Sequence, residues 1–161
     1  MIVDAFTFLN EKELVELRIK YLNELVDCFL IVEADVTHTG KEKKWNFSEL
    51  LNNNLKEFSH KIQYHQMKVD LKKAEAEKSS NYKGGTWGRS WKVESMQRNF
   101  IKDAYKSFSP SDIIIISDLD EIPSKDKLSF IKSCNFSTGG FSTTRSLKFF
   151  GEYFKYLNFF L

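Results

Sequence analysis

The sequence predicts an α/β domain built on a mostly parallel sheet with crossover helices. Three observations carry this. Apolar runs of strand length alternate with stretches that repeat at helical spacing. Two of those runs end in acids, at Glu33 and at Asp118-Leu119-Asp120-Glu121. Four consecutive isoleucines, Ile113 to Ile116, lead straight into the second acidic group. β-branched residues suit a pleat covered on both faces, so this run reads as a fully buried strand.

The elements follow in order. Residues 2–8 read as a first strand, of which 2–6 form the expected core. Residues 11–25 place Leu14, Leu17, Leu22 and Leu25 on one stripe, widened by Val15, Ile19 and Tyr21. That is an amphipathic helix, with Asn10 in position to cap it. Residues 28–32 form a second apolar run, ended by Glu33. Residues 35–44 are polar, with Thr37-His38-Thr39-Gly40 as a loop. Residues 48–58 suit a helix, and a third strand falls at 61–64 or at 66–71. Residues 74–90 read as a loop rich in polar residues and glycine. Helical spacing resumes over 91–108, with the helix expected to 107. The isoleucine strand, expected over 113–117, a helix over 124–134 and a strand over 141–150 complete the series.

Composition bounds the function. With 161 residues the chain is read as a single domain, large enough to bury a core. A net charge of +2 with 29% charged residues gives no basic surplus for nucleic acid or an acidic membrane surface. The two cysteines, Cys28 and Cys134, have no zinc spacing and sit in apolar settings, as buried thiols do. No apolar run reaches the length of a membrane span, and the aromatic stretch 149–161 carries Glu152 and Lys155.

The acidic group is the candidate site. Three carboxylates among residues 118–121 cannot lie unpaired in a core. Placed at a strand's carboxyl end, they occupy the edge where open α/β sheets bind ligands. Alternation along an extended backbone puts Asp118 and Asp120 on one side, with Glu121 opposite, where it braces the loop. Two hard oxygen ligands suit Mg²⁺ or Mn²⁺ and leave positions for water and phosphate. The plainer alternative is that these acids charge the start of the helix that follows Pro123.

A resemblance then joins these pieces. Residues 3–11, with Asp4, Asn10 and Glu11, are similar to the opening of glycosyltransferase family 17. Glu16-Leu17-Arg18, Leu22-Asn23-Glu24-Leu25, Val26-Asp27 and Ile31-Val32-Glu33-Ala34 continue it in order. So do Thr37 to Lys41, Trp91, Glu94, Gln97-Arg98-Asn99 and Ser117 to Pro123. The stretch 46–86 matches poorly, and Glu42-Lys43-Lys44 stands where the family has prolines.

The resemblance implies a GT-A fold, a UDP-sugar donor and a divalent cation, Mn²⁺ or Mg²⁺, at the Asp118-Leu119-Asp120 motif. It implies transfer of a sugar, N-acetylglucosamine, to a glycan acceptor. Asp120 is the expected direct metal ligand. Asp118 is expected on the donor's ribose or on the metal through water. Arg98 is expected at the diphosphate or orienting an acid, against a surface pair with Glu94. Glu33 is expected on ribose or base, and Glu11, at the first helix start, near the donor. His38 is expected in a loop hydrogen bond and Asp4 as a satisfied buried acid. No residue stands out as the catalytic base. The family's domains run longer, so this chain reads as the donor-binding portion, with the acceptor side missing or shortened. The same features allow a nucleotide-sugar-binding remnant without turnover, or a phosphohydrolase of the haloacid dehalogenase type. The family's animal members are Golgi membrane proteins; here the expectation is a cytoplasmic or membrane-peripheral protein.

Overall fold

The computed structural model describes residues 1–72 and 89–133. Their centre is a parallel sheet of four strands: β1 (Ile2–Phe8), β2 (Cys28–Ala34), β3 (Ile62–Met67) and β4 (Ile113–Ile116). The order is β3-β2-β1-β4. The chain steps outward from β1 to β3, then crosses back to lay β4 against the other side of β1. Val3 pairs with Cys28 on one side and with Ile114 on the other. Parallel neighbours require crossovers, and the helices supply them.

Helix α1 (Lys12–Leu22) joins β1 to β2. Val15, Ile19 and Leu22 are buried and pack with Phe6, Phe29, Ile31 and Ile115 on one face of the sheet. Helix α2 (Phe47–Asn52) and helix α4 (Lys125–Ser133) contribute Phe47, Leu50, Leu128 and Ile131 to the same core. Helix α3 (Arg89–Ala104) covers the other face, where Ile101 packs with Val3, Ala5, Leu30 and Val32. Side chains of β1 alternate between the two cores, which is why both faces of the strand are apolar.

Several expected boundaries moved. Helix α1 stops at Leu22, where the amides of Leu25 and Val26 turn back onto the Leu22 carbonyl at 3.0 Å each. Asn10 does not cap it. Glu11 occupies the N-cap position, and its carboxylate accepts from the amides of Leu9 and Asn10 at 3.2 and 3.0 Å. The helix expected over 48–58 splits into α2 and a 3₁₀ segment, Lys56–Lys61. Strand β3 straddles the two candidate positions. Helix α3 likewise ends in a 3₁₀ turn, Tyr105–Ser107.

The isoleucine strand needs a correction. Both cores touch it, but β4 is the outer strand of the described sheet and only Ile115 is fully buried. β1 shields it on one side, so Ile113, Ile114 and Ile116 remain half-buried. Its carboxyl end matters for another reason. The strand order reverses between β1 and β4, and the crevice at such a reversal is where open α/β sheets bind ligands. The loop at 74–88, Cys134, the strand expected at 141–150 and the aromatic stretch lie outside the described residues. Cys28 is a buried free thiol, and burial raises its pKa. Among the described residues no helix is long and apolar enough to cross a membrane.

Candidate functional site

The carboxyl ends of β1 and β4 open onto a cavity of about 350 Å³. One wall is Thr7, Phe8 and Leu9 at the end of β1, with Glu11 and Leu14 at the start of α1. Glu94 and Gln97 of α3, His38 and the acids Asp118 and Asp120 close it.

The acidic segment is a turn, not an extended continuation of β4. The Glu121 amide donates to the Asp118 carbonyl at 3.0 Å, a four-residue β-turn. Glu121 also folds its carboxylate back to accept from the Asp118 amide at 3.2 Å, so it does brace the loop. Between the two aspartates, Leu119 is 7% exposed and belongs to the α1-side core. Burying the middle residue of the triplet leaves both acids at the cavity. Asp118 is half-exposed and Asp120 exposed.

The turn rests on a group that sequence reasoning missed. Arg18 is fully buried under it. Its Nη1 donates to the carbonyls of Asp118 and Leu119 at 2.6 and 3.0 Å, and Nη2 donates to Ser117 Oγ at 2.7 Å. The same guanidinium grips Asp4 through two bonds, 2.9 and 2.7 Å. Asp4 is thus the satisfied buried acid that was expected. An arginine at position 18 shares the stripe of Val15, Ile19 and Leu22, three, one and four residues away. A charge on an apolar stripe, with an acid inside the preceding strand, is the signal that would have found the pair.

Arg98 lies across the site. Its Nη2 donates to Asp118 Oδ1 at 2.6 Å, and its Nε to Glu94 Oε1 at 3.1 Å. Arg98 thus pairs both along its own helix and with an acid of the motif. Glu11 lines the cavity. His38 does too, and among the described residues it makes none of the loop hydrogen bonds expected of it. The loop instead closes through the Gly40 amide on the Thr37 carbonyl at 2.8 Å, with Gly40 at φ 80°.

Glu33 is not brought to the cavity. It is wholly buried at the carboxyl end of β2, away from the strand-order reversal. Its carboxylate accepts from the amides of Asn46 and Phe47 at 2.8 and 3.1 Å, from the Tyr64 hydroxyl at 2.6 Å, and from Lys43 Nζ. The ribose or base contact expected there is replaced by a structural one. Glu33 shares the face of Phe29 and Ile31, and the chain before α2 closes over that face. Burial, then the bond to Glu33, pushes the Tyr64 phenol up to about 12.

The carboxylates present fit a hard divalent cation. Asp120 has no hydrogen-bond or ion-pair partner among the described residues, and Asp118 stands beside it. No group of three His, Cys, Asp or Glu side chains is placed to hold a metal among the described residues. A pair of aspartates alone suits an ion that takes its remaining oxygens from water and phosphate.

Fold and site define a doubly wound α/β protein with an acid-lined pocket at the point of strand-order reversal. Residues 1–149 match the family model of glycosyltransferase family 17, and the chain belongs to that family. It is 26% identical over 159 residues to the β-1,4-mannosyl-glycoprotein 4-β-N-acetylglucosaminyltransferase of Rattus norvegicus, covering 96% of this chain and 27% of that one. The human protein of the same name gives 26% identity, with 28% of its length covered. The chain thus spans little more than a quarter of the curated relatives it matches. No solved structure matches it.

Proposed function

We propose that this chain is the donor-binding part of a metal-dependent glycosyltransferase of the GT-A type. In this reading the pocket takes a UDP-sugar, and the sugar passed to a glycan acceptor is N-acetylglucosamine. The relatives' names speak for N-acetylglucosamine transfer. One observation carries the reading: Asp120, exposed and without a partner among the described residues, and Asp118 share a pocket at the strand-order reversal.

Each residue then has a task. Asp120 and Asp118 would hold Mn²⁺ or Mg²⁺, which supplies positive charge to a departing diphosphate. Arg98 keeps Asp118 oriented and offers a guanidinium that pairs bidentately with phosphate. Arg18 fixes the turn so that the aspartates stay at the pocket. Leu119 in the core prevents the turn from rotating them inward.

Calorimetric titration of UDP with and without Mn²⁺ tests this. Binding should require the cation, and Asp120→Asn should abolish that requirement together with the binding. Asp118→Asn should weaken binding less. Equal UDP affinity in wild type and Asp120→Asn, or indifference to a chelator, would sink the reading. Transfer itself is tested by incubating the chain with radiolabelled UDP-N-acetylglucosamine and a glycan acceptor.

A further inference from the structure

Gln97 sits where an apolar residue belongs. On α3 it shares a stripe with Val93 and Ile101, four residues to either side, and all three are at most 1% exposed. Its Oε1 is the one buried side-chain nitrogen or oxygen without a hydrogen-bond partner among the described residues. A buried amide oxygen left unpaired is destabilising, since it has given up its water for no partner. Yet this side chain lines the pocket, together with Thr7 across from it on β1. The Thr7 hydroxyl also has no partner among the described residues. Thr7 lies on the same face of β1 as Val3 and Ala5, the face that α3 covers.

The pocket therefore presents two kinds of group. The carboxylates of Glu11, Glu94, Asp118 and Asp120 suit a cation and through it a diphosphate. Among them stand two neutral groups without a partner among the described residues, the Gln97 carboxamide oxygen and the Thr7 hydroxyl. Neutral groups discriminate poorly for phosphate and well for N–H and O–H donors. An orphaned oxygen calls for a ligand that brings the hydrogen.

We infer that Gln97, with Thr7, is a donor-recognition residue that accepts a hydrogen bond from an amide N–H or hydroxyl on the nucleotide-sugar. This rests on the reading of the pocket as a UDP-sugar site. The shared chemistry is an N–H or O–H donor, and it has two sources: the nucleoside, or the acetamido group of the sugar.

The test is titration of UDP, UDP-glucose and UDP-N-acetylglucosamine, each with Mn²⁺, against wild type, Gln97→Met and Thr7→Val. Both substitutions keep the side-chain volume and remove the polar group. Gln97→Met should melt at or above the wild-type temperature, because it removes an unsatisfied oxygen. Its affinity should fall about tenfold, the size of one hydrogen bond to a buried group. A loss shared by all three ligands assigns the contact to the nucleoside. A loss confined to UDP-N-acetylglucosamine assigns it to the acetamido group. Thr7→Val should follow the same ligand pattern. Unchanged affinity of both variants for all three ligands overturns the inference while leaving the pocket reading intact. Failure of wild type to bind any of the three overturns both.

Discussion

Asp4 and Arg18 meet in a two-pronged ion pair with neither side chain exposed to solvent. The pair stands on the Phe6 ring, whose centre lies 4.5 Å from the guanidinium carbon. The other three bonds of Arg18 all go to the segment 117–119. The acids at the pocket are thus held from below by a charge that never reaches it.

Removing one partner should be severe. Arg18→Met leaves Asp4 buried and unpaired, and breaking such a pair costs about 3–5 kcal/mol. Urea unfolding should show the midpoint fall accordingly. The double variant Asp4→Val, Arg18→Met should recover part of the loss, because it removes both charges. Its affinity for UDP with Mn²⁺ should remain low, since the carbonyls of Asp118 and Leu119 have lost their anchor. A double variant that binds as wild type would show that the turn holds itself.

Arg98 competes with any cation for Asp118. Its ion pair is half-exposed on both sides, so it is weak in stability and sensitive to salt. Arg98→Ala should leave the melting temperature within a degree or two, estimated from the small worth of exposed pairs. Affinity for Mn²⁺ alone should rise, while affinity for UDP falls. A parallel drop in both, measured by calorimetry, would contradict the competition.

Glu33 offers the converse test. Glu33→Gln should destabilise the chain by about 1–3 kcal/mol, through loss of charge-assisted bonds to buried donors. UDP affinity, measured where the variant is folded, should be unchanged. A selective loss of UDP binding at full stability would restore the nucleoside role for this residue.

Tyr64 gives a pH dependence with a definite sign. Its phenol titrates at about 12 in the folded chain, against an ordinary value of 10. Between those values the unfolded chain loses the proton and the folded one keeps it. This contribution to stability is complete below pH 10 and is lost as pH rises towards 12. Tyr64→Phe should flatten that part of the curve in denaturation from pH 9 to about 12. The phenolate absorbance of wild type should include one late-titrating tyrosine.

Much of the fold was legible because periodicity survives in single residues. Ile2 to Phe8 and Cys28 to Val32 are strands in both readings, the second running on through Glu33 to Ala34, and the acids after the isoleucines line a pocket at the strands' carboxyl ends. β3 was harder, since Gln63 and Gln66 are exposed at the sheet's other margin and blur the apolar run. Arg18 was hidden because a long charged side chain on a helix ordinarily reads as surface. Glu33 was misplaced for a related reason. Its partners at 43, 46, 47 and 64 come together only when the loop folds over β2, and no local pattern records that. Gln97 belongs with them, since only the finished pocket reveals that its oxygen has no partner.

The sequence distances around Arg18 set an order of events. Asp4 is 14 residues away, whereas Ser117, Asp118 and Leu119 are 99, 100 and 101 away. During synthesis the short loop can close long before the acidic turn has been made. The nascent chain then carries a ready cationic socket with three donors waiting. When β4 docks beside β1, its trailing carbonyls drop into that socket and the aspartates are set in place. On this order the acidic turn is the last part of the pocket to be set. A pulse of labelled UDP with Mn²⁺ during refolding should be captured only after the slowest sheet-forming phase, never before it.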